Sequence, residues 1–289
     1  MTPVVYQGEP GAFSEEAVLG FFGDDRERIA VPTWRAVFEA VAGGSADRGV
    51  IAIESSLAGT IRETYDLLAE FYDRNVRIVG EIMVPVRLAL LALPGQMLDG
   101  IDRVYSHAQA LVQADAFLRS RDWQVMTTYN TAGAARMIVE RQEFRAAAIA
   151  SPRVAALYGL EVLAPDIQAG DENRTRFAIL ATVADGAIRD GDGAVRDADP
   201  GGPQRTTLVF AVRNVPGSLH RCLGAFAARG VNLSSLESRP ARRARWEYVF
   251  WVDVDAAVDD PDCAAALDDL RPETEMVRVL GSYSRAPDA

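Results

Sequence analysis

The chain has 289 residues, a length that suits about two domains, and its formal net charge of −11 argues against bulk nucleic-acid binding, which needs a basic surface to release phosphate counterions. All 30 basic residues are arginine, which excludes Schiff-base chemistry, a lysine-anchored pyridoxal phosphate and the Walker lysine. Two cysteines and two histidines support neither a disulfide framework nor a zinc cluster, no apolar run nears the roughly 20 residues of a membrane span, and the N-terminus lacks a signal-peptide pattern. A soluble cytoplasmic chain with reduced Cys222 and Cys263, and with no metal or organic cofactor, is expected.

Through the first 183 residues an apolar run, a small polar residue and an amphipathic stretch recur. Val4–Tyr6 leads through Gly8 and Gly11 to Ala12, Phe13, Ser14 and Glu15–Phe22. Gly49–Ile53 leads through Glu54, Ser55 and Ser56 to Thr60–Leu68. Ile101–Tyr105 precedes Ser106 and His107–Leu118. Val125–Thr128 precedes Asn130, Thr131 and Ala132–Val139. Ala147–Ala150 precedes Ser151-Pro152 and a helix closing at Gly159. Strands alternating with helices read as parallel α/β. Thr60–Glu63 and Ser106–Gln109 fit capping boxes, and Ser151-Pro152 fits a cap followed by proline. Ligands bind beyond the carboxyl ends of such strands, where helix N-termini favour anions. Hydroxyl-capped starts facing one crevice would suit a carboxylate-rich ligand.

The pattern stops at residues 184–205, a Gly-, Asp- and Pro-rich stretch that reads as a linker. Thr206 opens a strand. Pro216–Arg229 has helical spacing and Gly230 ends it. Two strands follow, the second with Trp246, Tyr248, Phe250 and Val252 on one face. Then come a short helix at Pro261–Leu270 and a strand at Glu275–Leu280. This βαββαβ order is the ferredoxin-like plan, which leaves edges and a face for pairing with a second copy.

Four features bear on chemistry. Gly8-Glu9-Pro10-Gly11 is not GxGxxG; it is either a tight βα turn or a backbone cradle for a carboxylate. Arg176 follows Thr175 and opens the apolar strand from Phe177, where it either reaches solvent or clamps a carboxylate bidentately. His107 at a helix start is better suited to be a neutral donor than a cation. Glu54 is a general acid or a loop carboxylate.

Taken together, these residues resemble prephenate dehydratase, with a C-terminal unit similar to the ACT domain. The resemblance rests on GEPGAFSEEA (8–17), GVIAIESSLAGTIRETYDLL (49–68), SHAQAL (106–111), NTAGAAR (130–136), AAIASPRVAALYGLEVL (147–163) and TRF (175–177). In the second unit it rests on NVPGSL (214–219), GVNLSSLESRP (230–240) and WEYVFWVD (246–253). Ser55 stands where the family usually has asparagine, Ala108 where it has proline, Asn130 where it has serine, and Ser218 where it has alanine.

The resemblance implies an α/β catalytic unit over 1–183 with two lobes, like a periplasmic binding protein, whose chain crosses near Val79–Val86 and Val162–Ala178. A linker over 184–205 and a regulatory unit over 206–285 would follow. It implies a carbon–oxygen lyase that converts prephenate to phenylpyruvate in phenylalanine biosynthesis. Thr175 would be the essential hydroxyl and Arg176 a carboxylate holder. Gly8, Ala12, Phe13, Ser14, Glu54, Ser55, Ser56, Ser106, His107, Gln109, Asn130, Thr131 and Phe177 would line the substrate site. L-Phenylalanine would bind between subunits of a homodimer or homotetramer, at Asn214, Pro216, Gly217, Ser218, Leu219, Asn232, Leu233, Glu237, Ser238, Arg239 and Pro240. With no chorismate mutase segment before residue 1, a monofunctional enzyme is expected. The alternatives are an arogenate dehydratase and a non-catalytic sensing protein; an intact Thr175-Arg176 pair favours an enzyme.

Overall fold

The computed structural model describes residues 3–170, 172–183, 202–240 and 248–287. Most of the linker read at 184–205, and Trp246, lie outside them. The first lobe comprises β1 (Val4–Gln7), α1 (Phe13–Phe22), β2 (Arg28–Val31), α2 (Trp34–Ala42), β3 (Arg48–Ser55), β4 (Gly59–Thr60), α3 (Arg62–Phe71) and β5 (Val76–Pro85). The chain then builds a second lobe. Its elements are β6 (Ala89–Ala92), β7 (Arg103–His107), α4 (Ala108–Gln113), α5 (Asp115–Leu118), β8 (Gln124–Thr128), α6 (Thr131–Arg141), β9 (Ala146–Ala150), α7 (Arg153–Tyr158) and β10 (Glu161–Ala164). It returns to the first lobe on β11 (Arg174–Thr182).

Within each lobe the expected parallel strands pair: β1 with β2 and β3, and β7 with β8 and β9. The crossing strands are the exception. β11 runs antiparallel between β3 and β5, and β6 runs antiparallel to β9 and β10. A chain that leaves one lobe and comes back must run its outgoing and returning strands in opposite directions. β9 is apolar at every position, AAAIA, and buried throughout, as a central strand covered on both faces must be. Its alanines let α6 approach closely through Ala132, Ala134 and Ala135.

Two of the expected helix caps are corrected. Thr60 belongs to β4, opposite Glu54, and α3 begins without a side-chain cap. Ser106 is buried in β7, where its hydroxyl donates to the Ile149 carbonyl at 2.6 Å; the cap of α4 is His107 instead. Asn130 does cap α6, accepting from Gly133 N–H at 2.7 Å.

The C-terminal unit comprises β12 (Gln204–Val212), α8 (Ser218–Ala227), β13 (Leu233–Pro240), β14 (Tyr248–Val254), α9 (Pro261–Leu270) and β15 (Met276–Ser284), with sheet order β13-β14-β12-β15. Phe210, Phe250 and Val252 face both helices and pack on Phe226 and Leu267. Cys222 and Cys263 are buried free thiols in the same cluster, and burial pushes Cys263 up to about 11.

The other sheet face is not left for a second copy. Val209, Trp251, Leu280 and Tyr283 pack against Tyr65 and Leu68 of α3 and Ile78 of β5. One parallel bridge, Gly281 to Ile78, joins both units into a ten-stranded sheet. A Cβ on Gly281 would lie 2.2 Å from the Ile78 carbonyl oxygen, so only glycine permits this approach. The free edge of the unit is β13.

Candidate active site

Strand β11 carries both Thr175 and Arg176, and its pleat separates them. In register Thr175 lies opposite Ser55 and Val84, while Arg176 lies opposite Glu54 and Met83. Directly opposed residues point to the same side of a sheet and successive residues to opposite sides. Thr175 and Ser55 therefore share one face, and Arg176 and Glu54 the other. The pairing slips between Arg176 and Phe177, leaving Ile53 of β3 as the extra residue. Such a bulge re-aims side chains at a site. Phe177 is 2% exposed and belongs to the core with Val84 and the partly buried Phe13, so it supports the site without lining it.

Arg176 departs from the clamp expectation. Its guanidinium is buried on the face away from Thr175, in the junction with the C-terminal unit. Nη1 lies 2.7 Å from Asp253 and 3.8 Å from Glu81, Nε lies 3.4 Å from Glu54, and Nη2 donates to the Tyr65 hydroxyl at 3.4 Å. Burial disfavours its charge, but Asp253 and the neighbouring acidic groups outweigh that and raise its pKa well above the ordinary arginine value. The protein's own carboxylates occupy this arginine. Glu54, on the same face, is likewise turned away from Thr175. Ser56 is tied to the β11 approach, donating to the Glu172 carbonyl at 3.0 Å and accepting from Arg174 N–H at 3.0 Å.

On the Thr175 side, the turn before α1 meets the second lobe. Gly8 and Gly11 both have positive φ, and a Cβ on Gly11 would lie 2.8 Å from Val154 of α7. The glycines thus permit both the turn and the contact between lobes. The Gly11 N–H is already taken by Glu15 Oε2 at 2.7 Å, so the expected backbone cradle is partly filled by the chain itself. Sequence reasoning missed the seam built around this turn. Glu15 pairs with Arg153 at 2.6 Å, Glu9 accepts from Tyr129 at 3.0 Å and pairs with Arg136 at 3.1 Å, and Ser151 donates to Glu16. Burial raises the Glu15 carboxyl, yet bonds from Arg153 and the Gly11 N–H bring it below the usual range. Burial lifts the Glu16 carboxyl above the usual range, against the hydrogen bond from Ser151. Ala12 and Ser14 are buried in the same first turn.

From the second lobe come His107, Gln109, Asn130 and Thr131 at the starts of α4 and α6. The His107 Nδ1 accepts from Gln109 N–H at 3.3 Å, which assigns the remaining ring proton to Nε2. Partial burial holds its pKa below the ordinary histidine value. An NMR titration is expected to place the His107 midpoint below about 6.5; a midpoint at or above that value would refute the neutral cap. Because the unfolded chain takes up this proton first as pH falls, the stabilising contribution is complete above the ordinary value. It declines as pH drops through that value toward the folded one.

The candidate effector residues do not meet within one chain. Asn214, Pro216, Gly217, Ser218 and Leu219 lie in and just after the β12–α8 turn, at the Val212 end of the sheet, with Pro240 beside Tyr248 at that same end. Asn232 and Leu233 stand at the other end of β13, roughly 20 Å away along the strand, where Asn232 bonds Asp255. Glu237 and Ser238 lie between, opposite Trp251 and Phe250. Arg239 reaches the catalytic unit: it pairs with Asp66 at 2.8 Å and donates to the Arg62 carbonyl at 3.0 Å, both on α3. Among the described residues, no helix is long and apolar enough to cross a membrane.

Comparison with known proteins bears on this geometry. A family profile described as prephenate dehydratase matches residues 4–185, and one described as ACT domain matches 206–272. The bifunctional chorismate mutase/prephenate dehydratase of Aquifex aeolicus is 34% identical, over 98% of this chain and 74% of its own length. Arogenate dehydratase 1 of Petunia hybrida is 38% identical, over 97% of this chain and 66% of its own. Among solved structures, the prephenate dehydratase of Arthrobacter aurescens in complex with L-Phe superposes with TM-score 0.85 at 30% identity, covering 98% of this chain and 90% of its own. GqqA, described as a novel type of quorum quenching acylase, superposes with TM-score 0.84 at 32% identity, covering 98% of each chain.

Proposed function

The chain belongs to the prephenate dehydratase family, and on that footing we propose that its interlobe cleft converts prephenate to phenylpyruvate, with Thr175 assisting the departing hydroxyl. The enzyme is a carbon–oxygen lyase of phenylalanine biosynthesis. Prephenate carries two carboxylates and a ring hydroxyl. Loss of that hydroxyl as hydroxide, which takes up a solvent proton to become water, together with carbon dioxide, restores an aromatic ring and supplies the driving force. The protein's task is to hold a dianion in position and to donate to the leaving oxygen. The observation that carries the reading is Thr175 sharing a face with Ser55, opposite to the face of Arg176, with the turn into α1 closing on the second lobe through Glu15–Arg153. The N-termini of α1 and α6 favour the carboxylates. His107, held neutral, contributes a hydrogen-bond donor.

Residues 1–183 form the catalytic unit; the linker ends before β12, which opens the regulatory unit at Gln204 in place of the expected Thr206, and the whole is a cytoplasmic enzyme controlled by L-phenylalanine. The effector site is assembled between two copies of a homodimer or homotetramer. The distance between Asn232–Leu233 and the 214–219 turn supports this, because a second copy can bring the two groups together.

The purified chain is assayed with prephenate and with arogenate, with and without L-phenylalanine. Phenylpyruvate is expected from prephenate. Turnover of arogenate alone would move the assignment to arogenate dehydration, and turnover of neither would end it. Equilibrium dialysis that finds no L-phenylalanine bound would end the regulatory part.

A further inference from the structure

We infer that Asp253, on the regulatory unit, is a positioning residue for the dehydration step and acts on Thr175 through Arg176. The inference rests on Thr175 being the reacting hydroxyl. Arg176 is one peptide bond from Thr175 and sits at the bulge that sets the direction of this end of β11. Its short ion pair, 2.7 Å, goes to Asp253 of β14, and both side chains are at least 95% buried. The other Asp253 oxygen accepts from the Thr207 hydroxyl at 2.7 Å, and Thr207 in turn contacts the Tyr283 hydroxyl at 2.8 Å. The carboxylate is thus fixed by two strands of the regulatory sheet and presented to the catalytic strand.

At 5% exposure the Arg176 guanidinium has little water to turn to when its partner is lost. Without Asp253 the remaining acids are Glu81, already held by Arg205 at 2.8 Å, and Glu54, on the strand that carries Ser55. Arg176 would be drawn toward Glu54, and β11 would shift at the bulge. A displacement of about 1 Å at a reacting group costs on the order of 10²-fold in rate. Arg176 itself stays out of the cleft, so substrate binding changes little.

The test uses the full-length chain with Asp253→Asn, Asp253→Glu and, as a control, Asp73→Ala. Asp73 pairs with Arg278 at 3.1 Å across the same junction without touching β11. Expected for Asp253→Asn is a kcat at least tenfold lower per folded enzyme, with KM within about threefold, and for Asp253→Glu a value between Asn and wild type. Asp73→Ala keeps wild-type kcat. Wild-type kcat in Asp253→Asn, or in Asp253→Glu if the Asn variant does not fold, overturns the inference. An equal loss in Asp73→Ala also overturns it, because that outcome is general loosening of the junction. If Thr175→Val were active, the reading of Thr175 would fail first. An inactive Thr175→Val beside an unaffected Asp253→Asn sinks the positioning role alone.

Discussion

Thr175→Val lowers kcat by about 10²–10⁴-fold, while Thr175→Ser retains most of it. Valine matches threonine in shape and lacks only the hydroxyl. The sheet contacts of residue 175 with Ser55 and Val84 run through the backbone, so the strand pairing survives the change. Serine keeps the donor and loses a methyl group. The fall therefore measures the hydroxyl. Threonine is a weak acid, and its part is a hydrogen bond to the leaving oxygen that strengthens as charge develops there. KM stays near wild type, because the interaction belongs to the transition state. Steady-state kinetics with both variants check this, and an unchanged rate in Thr175→Val removes the hydroxyl from the mechanism.

The placement of Thr175 at a strand start was legible, because a polar run gives way to an apolar one at Phe177. The direction of Arg176 was not. A strand predicts that neighbours 175 and 176 point to opposite faces, but sequence does not say which face is the cleft. The missing signal lay in Tyr248–Val254, YVFWVDV. Its 250 and 252 positions face α8 and α9, yet Val249 and Trp251 are apolar too. A strand apolar on both faces is buried on both, and a lone aspartate in that second face needs a buried cation. The seam between lobes was illegible for another reason. Glu15 and Arg153 are 138 residues apart, and each alone reads as a solvated helix charge. The caps at Thr60 and Ser106 failed because both hydroxyls are drawn into sheet positions: β7 runs past its apolar core to His107, and Thr60 lies in the separate strand β4 that folds back opposite Glu54.

Glu81→Ala destabilises the folded chain by about 3–5 kcal/mol, far more than the loss of any exposed pair. Glu81 is on the catalytic strand β5, yet both of its oxygens are held by the regulatory unit. Arg205 Nη1 donates to them at 2.9 and 2.8 Å, and the Ala286 N–H donates to Oε1 at 2.9 Å. The side chains are 1% and 8% exposed, so both charges are largely withdrawn from water. Deleting the carboxylate strands the Arg205 guanidinium inside the junction, and much of the measured cost is that unpaired charge. Arg35–Glu70 is a counter-example with an equally short distance, 2.6 Å, but its side chains are 47% and 51% exposed, and Glu70→Ala leaves the melting temperature unchanged. Because Glu81 joins two units, its loss also uncouples them: urea unfolding of Glu81→Ala shows two transitions where the wild type shows one. A single transition at the wild-type midpoint would mean that the buried pair contributes nothing to holding the regulatory unit on the catalytic one.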